Sequence, residues 1–163
     1  MAKVLIIDKD NEVVKSIERL LRVFNIDSET VLSHPNAIQS YASDNLRAII
    51  LDAEMPTIST NRLITEFDDI AAQTAKPRCP IIFMYRKEGT PQQLQLTKIP
   101  RSVCVSKPVS LIELYRILET LKLTSLFNDT GEVLEDKLLY YTQFLETSTD
   151  WLGELNDNLS PNE

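Results

Sequence analysis

Seven residues carry groups that could act together: Asp8, Lys9 and Asp10; Asp52 and Glu54; Tyr85; and Lys107. Each group stands just after a run of apolar or β-branched residues. Asp8 follows Val4-Leu5-Ile6-Ile7, and Asp52 follows Ala48-Ile49-Ile50-Leu51. Tyr85 follows Ile81-Ile82-Phe83-Met84, and Lys107 follows the short run from Ser102 to Ser106. Two carboxylates meeting at one edge repel, and a cation relieves the repulsion. Their hard oxygens suit Mg²⁺. A lysine adds a fixed positive point for a phosphoryl oxygen. A carboxylate nucleophile, a cation and a lysine together suit phosphoryl transfer onto an aspartate. The plainer alternative is that strand-end aspartates cap the helices after them, which accounts for any one of them alone.

The elements that must position these groups alternate along the chain. Continuous apolar runs predict strands buried on both faces at 4–7, 48–51 and 81–84, with shorter strands at 27–32 and 102–106. Val13, Ile17, Leu20, Leu21 and Phe24 recur at helical spacing after Asp10. Pro35 can sit in the first turn of a helix running to about Ser43. Further helices are predicted over 60–73 and, weakly, 91–97. A last one follows Ser110 with Leu111, Leu114, Leu118 and Leu121 on one face. Five strand–helix alternations predict an α/β fold, a doubly wound five-stranded parallel sheet covered on both faces. Chemistry in such sheets lies beyond the carboxyl ends of the strands.

With these residues in place, the sequence resembles the receiver domain of two-component response regulators. The segments that carry the resemblance are Val-Leu-Ile-Ile-Asp-Lys-Asp (4–10), Ile-Ile-Leu-Asp-Ala-Glu-Met-Pro (49–56), Pro-Ile-Ile-Phe-Met (80–84) and Ser-Lys-Pro-Val-Ser (106–110). It covers about residues 2–122. The resemblance implies a flavodoxin-like sheet with strand order 2-1-3-4-5. It implies Asp52 as the phosphoacceptor, Lys107 as the phosphate-contacting lysine and Asp8 as one member of an acidic pair. Glu54 matches the position whose backbone carbonyl helps to hold Mg²⁺, so Asp8, Asp52 and Glu54 are the implied metal set.

The departures point to an atypical member. The second acid of the pair is Lys9. The small hydroxyl residue after the fourth strand falls at Tyr85, and the aromatic switch position of the fifth strand falls at Cys104. The loop after Met55-Pro56 lacks glycine. Lys9 is therefore expected to place its ammonium where Mg²⁺ would sit and to pair with Asp52. At 4 Å such a pair has roughly 4 kcal/mol of Coulomb energy at an effective dielectric near 20, before desolvation. Tyr85 is expected either to fill the neighbouring pocket or to lie on the surface. On this reading the domain has no resident cofactor, and Mg²⁺ binding is put in doubt by Lys9.

Other reactive residue types carry less. His34 is the only histidine, so a histidine metal site or a Ser-His-Asp triad is excluded, and a surface-loop position is expected. Cys79 and Cys104 read as ordinary buried thiols. Arg86, Lys87 and Arg101 read as solvated. The net charge of −7 argues against a nucleic-acid-binding surface. No segment is apolar enough to span a bilayer, and a cytoplasmic protein of bacterial type is expected.

The charge is unevenly spread. Residues 1–122 carry 16 Lys/Arg against 15 Asp/Glu, whereas residues 123–163 carry one against nine. The division is accordingly a receiver-like domain over 1–122 and an acidic, aromatic-rich helical extension over 123–163. Positions 134, 138, 141, 145, 148, 152, 155 and 159 form a heptad seam interrupted at Ser148. Leu138, Tyr141, Leu145, Trp151 and Leu152 are the candidate partner-binding residues, for a protein partner or for homodimerisation. The alternative is that the helix folds back on the sheet domain.

The function expected from the sequence is signal transduction by an atypical receiver through protein–protein contacts, with impaired or absent Mg²⁺-dependent phosphorylation and no enzymatic activity. A conventional receiver phosphorylated on Asp52 by a histidine kinase or phosphotransfer protein is the first alternative. The second is a phosphatase of the haloacid-dehalogenase type using Asp8 in Asp8-Lys9-Asp10. That family needs a threonine near position 12, where Glu12 stands, and an acidic pair at a strand end, whereas Asp68-Asp69 falls in a predicted helix.

Overall fold

The computed structural model describes residues 3–43, 45–86 and 91–123. The proposed 123–163 extension, with Leu138, Tyr141, Leu145, Trp151 and Leu152, lies outside them from residue 124 onward. Strands β1 (Lys3–Ile7), β2 (Asp27–Val31), β3 (Leu46–Asp52), β4 (Ile81–Tyr85) and β5 (Ser102–Ser106) alternate with helices α1 (Asn11–Val23), α2 (His34–Ser43), α3 (Thr60–Gln73), α4 (Pro91–Leu96) and α5 (Leu111–Thr120). The sheet is fully parallel, in the order β2-β1-β3-β4-β5. The expected doubly wound architecture is therefore present. Among the described residues no helix is long and apolar enough to cross a membrane.

Strand composition follows position in the sheet. β1, β3 and β4 lie inside it, and Val4 to Ile7, Ala48 to Leu51 and Ile81 to Phe83 are all fully buried. Alternate side chains feed two cores. Val4, Ile6, Ala48, Ile50, Ile82 and Met84 pack against α1 and α5. Leu5, Ile7, Ile49, Leu51, Ile81 and Phe83 pack against α2, α3 and Leu96 of α4. The edge strand β2 is Asp-Ser-Glu-Thr-Val, and Lys3 Nζ of β1 lies 2.7 Å from Glu29 Oε2.

Local signals set the helix starts. Asp10 caps α1 by accepting the N–H groups of Glu12 and Val13, Ser59 caps α3 and Ser110 caps α5. Two expectations are corrected here. His34 is not a surface-loop residue: it opens α2, its side chain is largely covered, and its Nε2 lies 2.7 Å from Glu66 Oε2 of α3. Arg101 is not simply solvated: its Nε donates to the Arg78 carbonyl at 2.7 Å. Arg78 is itself buried, donating to Asp68 Oδ1 at 2.7 Å and to the carbonyls of Cys79 and Pro100. One guanidinium thus joins α3 to the chain entering β4 and β5.

The hydrogen bond from His34, aided by Arg62, holds the Glu66 carboxyl below its ordinary value of 4.5. A folded-state value below the unfolded one contributes stability above the unfolded value, lost as pH falls through the folded one. The urea midpoint of Glu66→Gln is therefore expected to fall less than that of the unmodified protein between about pH 5 and pH 3. Equal falls in the two proteins would remove this link from the acid response.

Candidate functional site

Strands β1, β3 and β5 deliver three charged side chains to one point at their carboxyl ends. Asp8 is 1% exposed, Asp52 is 3% exposed, and the Lys107 side chain is 7% exposed. Lys107 Nζ lies 3.0 Å from Asp8 Oδ2 and 3.3 Å from Asp52 Oδ2. Each carboxylate uses its other oxygen in the same way. Asp8 Oδ1 accepts the Asp10 N–H at 2.9 Å, and Asp52 Oδ1 accepts the Glu54 N–H at 3.0 Å. Both aspartates therefore close a turn two residues long at their strand end and leave Oδ2 to face the lysine.

The expected pairing of Lys9 with Asp52 does not occur. Lys9 is exposed, and among the described residues it makes no ion pair. The reason is local. Asp8 turns its carboxylate inward to take the Asp10 amide, and the next side chain then faces solvent, where a lysine keeps its hydration. The cation between the carboxylates comes instead from Lys107, which the turn after β5 holds through its own N–H to the Tyr85 carbonyl at 2.7 Å. Asp10 caps α1 and contributes no further acid to the pocket.

The remaining candidates are distributed around this centre. Tyr85 ends β4 and is buried, which excludes the surface alternative. Cys104 lies in β5 beside Phe83 of β4 and packs partly against the core on the α2–α3 side. Burial raises the Cys104 thiol and pushes that of Cys79 up to about 11, so both read as unreactive thiols. Both are free. Glu54 is part-buried, and its Oε1 accepts the Arg86 N–H at 3.1 Å while Oε2 lies 3.9 Å from Arg86 Nε. The Arg86 side chain is exposed, as expected, while its main-chain N–H is tied to the end of β3. Nothing in the sequence marks this contact, because its donor is a backbone amide 32 residues away. Beside the site is a cavity of about 390 Å³ lined by Ala53, Glu54, Met55, Ile58, Thr60 and Leu96, among others.

Whether these residues suit a metal rests on their donors. Asp8 Oδ2 and Lys107 Nζ are buried and lack an aligned hydrogen-bond partner, although they lie 3.0 Å apart. Alignment, not distance, is what this contact lacks, so we read it as an ion pair that leaves an acceptor site open. Among the described residues no group of three or more His, Cys, Asp or Glu side chains gathers to hold a metal. Mg²⁺ does not need three, since it is commonly held by one or two carboxylates with water and phosphate oxygens. The carboxylates of Asp8 and Asp52 fit it as a minimal set, to which the resemblance adds the main-chain carbonyl of Glu54. Such an ion would offset charge on a transferring phosphoryl group. The arrangement suits chemistry at a buried carboxylate beside a fixed ammonium.

Comparison with known proteins follows this geometry. The family model described as "Response regulator receiver domain" matches residues 4–119. Among solved structures, the receiver domain of a Francisella response regulator aligns with TM-score 0.58 and 22% identity, over 73% of this chain and 94% of that one. The receiver domain of a sensor histidine kinase from Pseudomonas aeruginosa, with magnesium coordinated in its active-site cleft, aligns with TM-score 0.58 and 21% identity, over 73% and 95%. The receiver domain of Ssk1 from Saccharomyces cerevisiae, crystallised with the histidine phosphotransfer protein Ypd1, aligns with TM-score 0.61 and 18% identity, over 72% and 87%. No curated protein matches the chain.

Proposed function

The chain belongs to the response regulator receiver domain family of two-component signal transduction, and we propose that it is a member in which Asp52 accepts a phosphoryl group only weakly and whose output is a protein contact. The single observation behind this reading is the placement of charge at the strand ends. Asp8, Asp52 and Lys107 converge, while Lys9 faces solvent and supplies no carboxylate. Asp52 keeps what an acceptor needs, a buried carboxylate with an ammonium beside it. What is reduced is the negative charge that draws a divalent cation: relative to an aspartate at position 9 the site has one carboxylate fewer and the formal charge differs by two units.

The step is a phosphoryl transfer. An oxygen of Asp52 forms a bond to phosphorus, and the donor's bond to that phosphorus breaks. With acetyl phosphate the leaving group is acetate. Lys107 Nζ then lies where it can hold a phosphoryl oxygen. The donor in the cell is proposed to be a histidine kinase or a histidine phosphotransfer protein of the kind seen with the yeast relative. Residues 123–163 are proposed as the contact for a basic or neutral partner, because their nine acids and one lysine favour such a surface. We place the protein in the cytoplasm, without an enzymatic output. Against the phosphatase alternative, Asp10 is engaged as the α1 cap, and Asp68, within α3, is paired with Arg78.

The test is incubation with acetyl phosphate and Mg²⁺, read by intact mass. The unmodified protein is expected to gain one phosphoryl group slowly and incompletely, and Asp52→Asn none. Lys9→Asp is expected to raise the initial rate about tenfold, because a carboxylate in place of an ammonium at the rim of the site raises the local concentration of Mg²⁺. Rapid, complete modification of the unmodified protein would overturn the weak-acceptor reading. Absence of modification even in Lys9→Asp would remove Asp52 as an acceptor.

A further inference from the structure

The hydrogen-bond ladder at the end of β4 singles out one backbone donor. The Ala53 N–H, just after β3, donates to the Met84 carbonyl at 2.9 Å, so residue 84 faces β3. The Lys107 N–H donates to the Tyr85 carbonyl at 2.7 Å, so residue 85 faces β5. By the alternation of a strand, residue 86 faces β3 again. Its N–H is then the next donor on the Asp52 side, one ladder step beyond Asp52 and Met84, which are register partners. That donor is taken by the side chain of Glu54, at 3.1 Å. Glu54 reaches it because its own N–H is held by Asp52 Oδ1, which fixes the turn between the two acids.

We propose that the Glu54 carboxylate is a resident anion in this pocket: it occupies the Arg86 N–H that an oxygen of a phosphoryl group on Asp52, or of a free phosphate, would otherwise take. The inference rests on the reading of Asp52 as acceptor and goes beyond it, by naming a positioning residue that opposes the reaction. A carboxylate accepts a backbone N–H through a charge-assisted hydrogen bond, of the same kind that a phosphoryl oxygen would make there. An incoming phosphoryl group must therefore either displace Glu54 or do without this donor. It also meets the negative charge of Glu54 at close range. Arg86 adds a guanidinium beside the same carboxylate, which favours the closed arrangement. Glu54 is part-buried and stands at the mouth of the site, so it can swing out without disturbing the cores.

Two measurements on the full chain test this. The first follows Asp52 phosphorylation by acetyl phosphate and Mg²⁺ in the unmodified protein and in Glu54→Ala. The variant is expected to react about tenfold faster. The second follows the Arg86 amide resonance by ¹H–¹⁵N spectroscopy during titration with inorganic phosphate. Glu54→Ala is expected to shift that resonance upfield on its own, as a hydrogen bond is lost. It is also expected to show a saturable phosphate response at about tenfold lower concentration than the unmodified protein. Equal phosphate responses with an unmoved Arg86 amide would overturn the inference, whatever the reaction rate. A stronger phosphate response in Glu54→Ala without any gain of mass would support Glu54 as the resident anion while removing Asp52 as the acceptor.

Discussion

Replacing Lys107 by methionine is expected to lower stability by about 3–5 kcal/mol, because among the described residues it removes the one cation facing two buried carboxylates. Asp8 and Asp52 are 1% and 3% exposed, so neither can recover its hydration by a small movement. Methionine keeps the length and apolar stem of the lysine, so the loss reports charge more than volume. Urea unfolding measures this. Adding Asp8→Asn to Lys107→Met should restore more than half of the loss, a coupling that independent sites would not show. A loss below about 1 kcal/mol would mean that water reaches the carboxylates and that the pocket is not held by the ion pair.

The second large effect is Phe67→Ala, expected to cost about 3–5 kcal/mol and to lower Tm by about 10 °C or more. Phe67 lies in α3, is fully buried, and stacks on Tyr41 of α2 with ring centroids 4.5 Å apart and planes 23° apart. The ring fills the wedge where α2 and α3 meet the sheet, among Leu51, Leu63 and Phe83. Two helices and a sheet cannot all close on the vacated space, so most of the cavity persists. Phe67→Leu should lose less than half as much, because the larger residue leaves a smaller void. Calorimetry on the two variants separates a cavity effect from a general loosening of α3, which would treat both substitutions alike.

The fold was legible because β1, β3 and β4 are apolar runs whose length and spacing admit one architecture. Val4 to Ile7 and Ile81 to Met84 could only be interior strands, and Asp10, Ser59 and Ser110 mark helix starts by chemistry that acts over three residues. Asp8, Asp52 and Lys107 were legible for the same reason, as strand-end groups that a parallel sheet must bring together. Lys9 was misplaced because its direction depends on the turn that Asp8 closes with the Asp10 amide. Residue type says nothing about which of two adjacent side chains turns inward. The pairs His34–Glu66, Arg78–Asp68 and Glu54–Arg86 were also out of reach. They join groups ten to 32 residues apart, and their partners are set only after the elements that carry them have docked.

The edge strand β2 has a consequence for how the protein behaves in a crowd. A parallel sheet that ends on an open strand offers unpaired amides and carbonyls to any other chain. On β2 that strand is Asp27-Ser28-Glu29-Thr30-Val31, with acids at alternate positions and Lys3 held against Glu29. A second copy laid alongside would set acid against acid at each alternate rung. The border of the sheet is therefore self-repelling, and a high local concentration of the protein, such as a signalling cluster would create, need not seed fibrous stacking along that border.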